Sequence, residues 1–151
     1  MIIQIATPTH YLEIVNIFKA NKKLFPHIRP DEIDRLIRSD ACVYDSGVVI
    51  MFTIYKRNNL IGNILAPKGS CTLKQMLNTQ IGNGNAQLVL DKFLTFINRD
   101  VYLSVRADNL RAIRFYEKNN FIKIGSVAWN KGTTLGYVYH WKCKNQELDC
   151  S

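Results

Sequence analysis

The chain lacks the features that mark membrane, metal and disulfide proteins. No apolar run in its 151 residues approaches the roughly 18 that suggest a membrane span. The opening Met-Ile-Ile-Gln-Ile-Ala has no positive leader and no long apolar stretch, so no signal peptide is expected. The four cysteines (Cys42, Cys71, Cys143, Cys150) make no CxxC pair and no zinc spacing. The three histidines (His10, His27, His140) are scattered, with no HExxH. Reduced thiols, no metal, no membrane and a cytoplasmic location are the expectation. Acidic residues are also few, 12 against 20 Lys and Arg, for a net charge of +8. The bases are spread, with no run of five, as on a solvated surface. Their excess favours acidic partners, either nucleic acid or a polyanionic cofactor. There is no internal repeat, low-complexity tract or linker. Length and a 47% hydrophobic fraction fit one domain with one core.

What the chain does contain is clearest from Val101 to Phe121. Val101, Leu103 and Val105 alternate with Tyr102, Ser104 and Arg106, the period of a strand. Asp108 or Asn109 then offers an oxygen to the first amides of a helix. Ala112, Phe115 and Tyr116 share one helix face. Asn119-Asn120 ends that helix, because Asn tolerates the left-handed conformation of many helix exits. Phe121 begins another strand.

This stretch resembles the GNAT superfamily of acetyl-CoA-dependent N-acetyltransferases. Its members carry a strand followed by Asn-x-x-Ala-x-x-Phe-Tyr-x-Lys-x-Gly-Phe. Here those positions are Asn109, Ala112, Phe115, Tyr116, Lys118 and Phe121, with Asn120 in place of the Gly.

The rest of the chain follows a compatible order. Ile2, Ile3 and Ile5 suggest an edge strand, and Thr7-Pro8-Thr9 a helix start with Thr9 as cap. Tyr11, Ile14, Val15 and Phe18 form an amphipathic face, and Pro30-Asp31-Glu32 opens a second helix that buries Ile33, Leu36 and Ile37. Cys42–Tyr44 and Val48–Tyr55 read as a hairpin around Asp45-Ser46-Gly47. Leu60–Leu65 is either a strand or irregular chain. Cys71–Leu77 reads as a strand. A glycine-bearing turn follows, and then a helix with Leu90, Phe93, Leu94 and Ile97 on one face. Phe121–Trp129 and Thr134–Trp141 form a last hairpin around Asn130-Lys131-Gly132. The expectation is an α/β (α+β) GNAT-like domain over 1–142 with a polar tail over 143–151. Its order is β-α-α-β-β-β-α-β-α-β-β, about seven strands in a mixed sheet and about four helices.

The turn Asn78–Asn85 is the second motif. Glycines let the backbone approach a phosphate, and the amides at a helix start bind anions. A Gly-x-Gly alone fits a plain surface turn equally well, and a dinucleotide fingerprint fails for want of its third Gly. The resemblance implies that the turn binds the pyrophosphate of coenzyme A. The family pattern is Arg or Gln-x-x-Gly-x-Gly or Ala, and here its first position falls on Thr79, with Gln80 one place late. Leu77, Thr79, Gln80, Ile81, Gly82, Asn83, Gly84, Asn85, Asn109, Ala112 and Phe115 are then the cofactor-binding candidates, with acetyl-CoA as co-substrate. The resemblance also implies that Tyr116 protonates the departing thiolate, although its position alone equally suits a packed core residue. Family members often carry a Glu or Asp on the strand before the loop. Here that strand offers Lys74 and Gln75, so no general base is assigned. A primary amine would attack the thioester directly, and a backbone amide would stabilise the oxyanion. A nucleic-acid-modifying acyltransferase and a non-catalytic coenzyme A-binding module are the alternatives. The acceptor and the choice between monomer and homodimer stay open.

Overall fold

The computed structural model describes residues 2–144. A short 3₁₀ turn, Pro8–His10, leads into α1 (Tyr11–Ala20). The cap is Thr7 rather than Thr9. Pro8 needs no amide partner in the first turn and its φ is already helical, so the turn begins immediately after Thr7. The Thr7 amide donates to His10 Nδ1 at 3.0 Å, which closes the entry. α1 buries Ile14, Val15 and Phe18, and α2 (Pro30–Arg38) buries Ile33, Leu36 and Ile37. Each such side chain contributes about 1.5–3 kcal/mol when removed from water.

β1 (Cys42–Asp45) and β2 (Val48–Ile54) pair antiparallel across a turn in which Ser46 and Gly47 have φ of 50° and 77°. The expected first strand shrinks to one bridge, Ile5 with Val43. The Ala6 amide donates to the Cys42 carbonyl at 2.8 Å and the Tyr44 amide to the Gln4 carbonyl at 3.0 Å. Pro8, which carries no amide hydrogen, stops that ladder after so few residues.

The ambiguous Leu60–Leu65 region is a small hairpin, β3 (Asn59–Ile61) and β4 (Ile64–Ala66), turned by Gly62 at φ 59°. It forms its own two-stranded sheet. β5 (Cys71–Asn78), α3 (Asn85–Ile97), β6 (Val101–Arg106), α4 (Leu110–Lys118), β7 (Ile122–Trp129) and β8 (Thr134–Trp141) complete the elements. The main sheet has six strands in the order β1-β2-β5-β6-β8-β7. Parallel pairing of β5 with β6 is recorded at Cys71 with Val101 and at Thr72 with Tyr102. β6 is antiparallel to β8 over six residue pairs, from Val101 with Trp141 to Arg106 with Gly136.

The chain divides into two compact units. The first comprises residues up to Phe52 and Gln75–Phe96, and the second Thr53–Lys74 and residues from Ile97 on. In the first, α1 and α2 pack around Val49, Met51 and Leu77, with Phe18 edge-on to Phe25 at 5.3 Å. In the second, Leu103, Val105, Tyr116, Phe121, Val138 and Tyr139 are buried. Cys143, assigned from sequence to the loose tail, is also buried here: its amide donates to Asp100 Oδ1 at 2.9 Å. The remainder of the expected tail, 145–151, lies outside the described residues.

Candidate functional site

The glycine turn belongs to the first unit and is built by side chains that bond to its own backbone. Asn78 Oδ1 accepts from the Gln80 amide at 3.0 Å, and Asn83 Oδ1 from the Asn85 amide at 3.0 Å. Asn83 Nδ2 donates to Gln80 Oε1 at 2.9 Å. These short amide side chains fold the loop without help from a core. Gly82 and Gly84 have φ of 92° and 80°, and a Cβ on either would meet no atom within 4 Å. Glycine is therefore needed for its backbone conformation, and the space beside it is open. Ile81 is 65% exposed, whereas Leu77 at the end of β5 is buried.

The loop is held at both ends by the β1–β2 turn. The Thr79 amide and Thr79 Oγ1 both donate to the Gly47 carbonyl, at 2.9 and 2.7 Å. Asn85 Nδ2 donates to the Ser46 carbonyl at 2.8 Å. Behind the turn, Asp45 is 3% exposed and accepts from the Gln4 amide, Ser46 Oγ and Lys92 Nζ at 3.0, 2.8 and 3.3 Å. Desolvation favours the neutral acid, but the Ser46, Gln4 and Lys92 contacts outweigh it and lower the Asp45 pKa. The side chains of Thr79 and Asn85, both predicted cofactor contacts, are thus engaged in building the loop.

The second unit carries the other predicted residues. Asn109 is the cap of α4, as one of the two sequence options had it, and its Oδ1 accepts from the Ala112 amide at 3.2 Å. Asp108 instead pairs with Arg106, Nε to Oδ1 at 3.1 Å and Nη2 to Oδ2 at 3.0 Å. Ala112 and Phe115 are half-buried and Tyr116 is buried. The Tyr116 ring lies 5.5 Å from Phe115 and 5.3 Å from Phe121. Burial raises its pKa well above the usual phenol value, so the hydroxyl stays protonated at neutral pH. Asn120 exits α4 at φ 68°, which explains how Asn serves where the family pattern has Gly. Cys71 is fully buried and its thiol is pushed up to about 12 by desolvation, which suits packing and not nucleophilic attack. Among the described residues, no group of His, Cys, Asp and Glu could hold a metal ion.

Three features of the first unit escape a reading of the sequence. They are the Ser46–Gly47 clamp on the loop, the Asp45–Lys92 pair, and a contact between Gln75 Nε2 and His27 Nε2 at 3.1 Å. Each joins residues 32 to 48 positions apart, and no local pattern encodes such a distance.

This is the fold of the GNAT N-acetyltransferases. Ard1 from Thermoplasma volcanium aligns with a TM-score of 0.71 at 19% identity, covering 93% of this chain and 95% of its own. A GNAT-family acetyltransferase from Bacillus cereus aligns at 0.67 and 15% identity, covering 93% and 95%. Arabidopsis thaliana NAA60, solved with acetyl-CoA, aligns at 0.66 and 14% identity, covering 92% and 96%. No protein-family model matches the chain, and no curated protein matches it.

Proposed function

We propose that the chain is an acetyl-CoA-dependent N-acetyltransferase acting by direct attack of a primary amine on the thioester. The observation that carries this reading is the Asn78–Asn85 loop. It follows a strand of a GNAT-type sheet, has its glycines at positive φ with open space beside them, and runs directly into α3. Backbone amides at such a helix start suit a pyrophosphate. Gly82, Asn83 and Gly84 contribute main-chain amides, and Ile81 covers the cofactor from its exposed position. Thr79 and Asn85 act by holding the loop, while Leu77 fixes the strand end beneath it. Gln80 sets the loop through Asn83. Asn109 keeps its Nδ2 hydrogens for the pantetheine arm because the cap uses only Oδ1. Ala112 and Phe115 shape the wall on the same helix. Tyr116, protonated at neutral pH, gives its proton to the thiolate as the carbon–sulfur bond breaks.

Calorimetric titration of the full chain with acetyl-CoA tests the cofactor half. A saturable one-site isotherm is expected, and no binding overturns the reading. Thiol release is then followed with a panel of acceptors: spermidine, a peptide with a free N terminus, a lysine-containing peptide blocked at its N terminus, an aminoglycoside and double-stranded DNA. Binding with no turnover on any amine would leave a coenzyme A-binding module.

A further inference from the structure

β5 carries no carboxylate, yet one side chain of the first unit with acid–base chemistry lies against it. That group comes from elsewhere. His27, in the segment between α1 and α2, brings its Nε2 to 3.1 Å from the side-chain amide of Gln75, midway along β5. The segment around His27 is well fixed. The Phe25 amide donates to the Asn21 carbonyl at 3.1 Å, the Ile28 amide to the Phe25 carbonyl at 3.4 Å, and Phe25 packs edge-on against Phe18. His27 itself is exposed, so a proton it receives can leave to water.

We propose that His27 is the general base that takes the proton from the attacking amine. The proposal rests on the acetyltransferase reading above. The nitrogen and oxygen of a Gln amide exchange places on a half-turn about the last side-chain bond. With the Gln75 carbonyl toward the ring, Nε2–H donates to it, and the Nδ1 lone pair is left as the base. The amine nitrogen forms its bond to the acetyl carbon and the carbon–sulfur bond breaks. The nitrogen's surplus proton passes to His27 Nδ1, and a separate proton reaches the thiolate. Gln75 is the positioning residue that selects the tautomer. It stands on β5, which has no carboxylate, and orients an imidazole there.

The test uses the full chain and the amine of the panel that the wild type acetylates fastest. His27→Ala should lower kcat roughly 100-fold, leave the acetyl-CoA dissociation constant unchanged, and regain turnover when free imidazole is added. Gln75→Leu should lower kcat less and show no response to imidazole, because its ring is still in place. A purely structural tie between His27 and β5 would not be restored by imidazole. A His27→Ala enzyme with wild-type turnover, or one that is slow and unresponsive to imidazole, overturns the proposal. Failure of the cofactor reading shows separately, in the wild-type titration.

Discussion

Thr79 is bonded to Gly47 twice, through its amide and its hydroxyl, and both bonds end on one carbonyl oxygen. The glycine loop is therefore anchored to the tip of a hairpin more than thirty residues earlier in the chain. A Cβ on Gly47 would fall 2.9 Å from Thr79 Oγ1, and Gly47 has φ of 77°. Gly47→Ala should cost about 1–3 kcal/mol of stability and weaken acetyl-CoA binding. Thr79→Val keeps the amide bond and should cost about 1 kcal/mol. Denaturant unfolding and acetyl-CoA titration of both variants check this. Wild-type affinity in Gly47→Ala would show that the clamp does not govern the loop.

Tyr116 is buried and its hydroxyl stays protonated well beyond neutral pH, because desolvation disfavours the phenolate. Tyr116→Phe removes one oxygen and leaves the ring packing with Phe115 and Phe121 intact. Turnover should drop about 100-fold with no change in acetyl-CoA affinity or thermal midpoint. A Phe variant as active as wild type would remove Tyr116 from the chemistry.

Asp45 links pH to the stability of the first unit. Its folded pKa is lowered by contacts with Ser46, Gln4 and Lys92 that exceed the opposing desolvation. A depressed folded value means the stabilisation is fully present above the unfolded value of about 3.9 and is lost as pH falls through the folded one. Unfolding free energy should therefore decline on acidification below about pH 4. Asp45→Asn should remove that dependence and cost about 3 kcal/mol at neutral pH, since it strands the Lys92 ammonium in a mostly buried position. Urea melts across the acid range check both parts.

The proposed cofactor role of Asn109 uses a different atom from its structural one. Its Oδ1 caps α4 through the Ala112 amide. Asn109→Ala should lose about 1 kcal/mol of stability. Asn109→Asp keeps an oxygen for the cap and loses the two amide hydrogens. It should retain stability and bind acetyl-CoA more weakly. Unchanged affinity in the Asp variant would limit Asn109 to capping.

Much of the fold was legible in the sequence because it follows from local periodicity. The Val101–Phe121 stretch and the faces of α1 and α2 appear where their patterns place them, and the strand at Cys71 where its place before the glycine turn puts it. The ends were less legible. Ile2–Ile5 is rich in strand formers, yet Pro8 limits it to a single bridge. The Leu60–Leu65 hairpin lacks alternation because it packs through few positions: Ile64 lies where a Cβ on Gly125 would stand, 2.8 Å from its Cδ1.

The sequence by itself determined the order of elements, the glycine loop and the Asn-x-x-Ala-x-x-Phe-Tyr helix. These depend on spacing within one element, and spacing is a local property. Only the tertiary structure decided what those parts rest on. The side chains of Thr79 and Asn85, expected beside the cofactor, are bonded to the carbonyls of the β1–β2 turn. Asp45 met Lys92, and His27 came to Gln75 on a strand with no acid of its own. A hydrogen bond acts over about 3 Å of space, and whether two residues come that close depends on how the whole sheet and its helices pack.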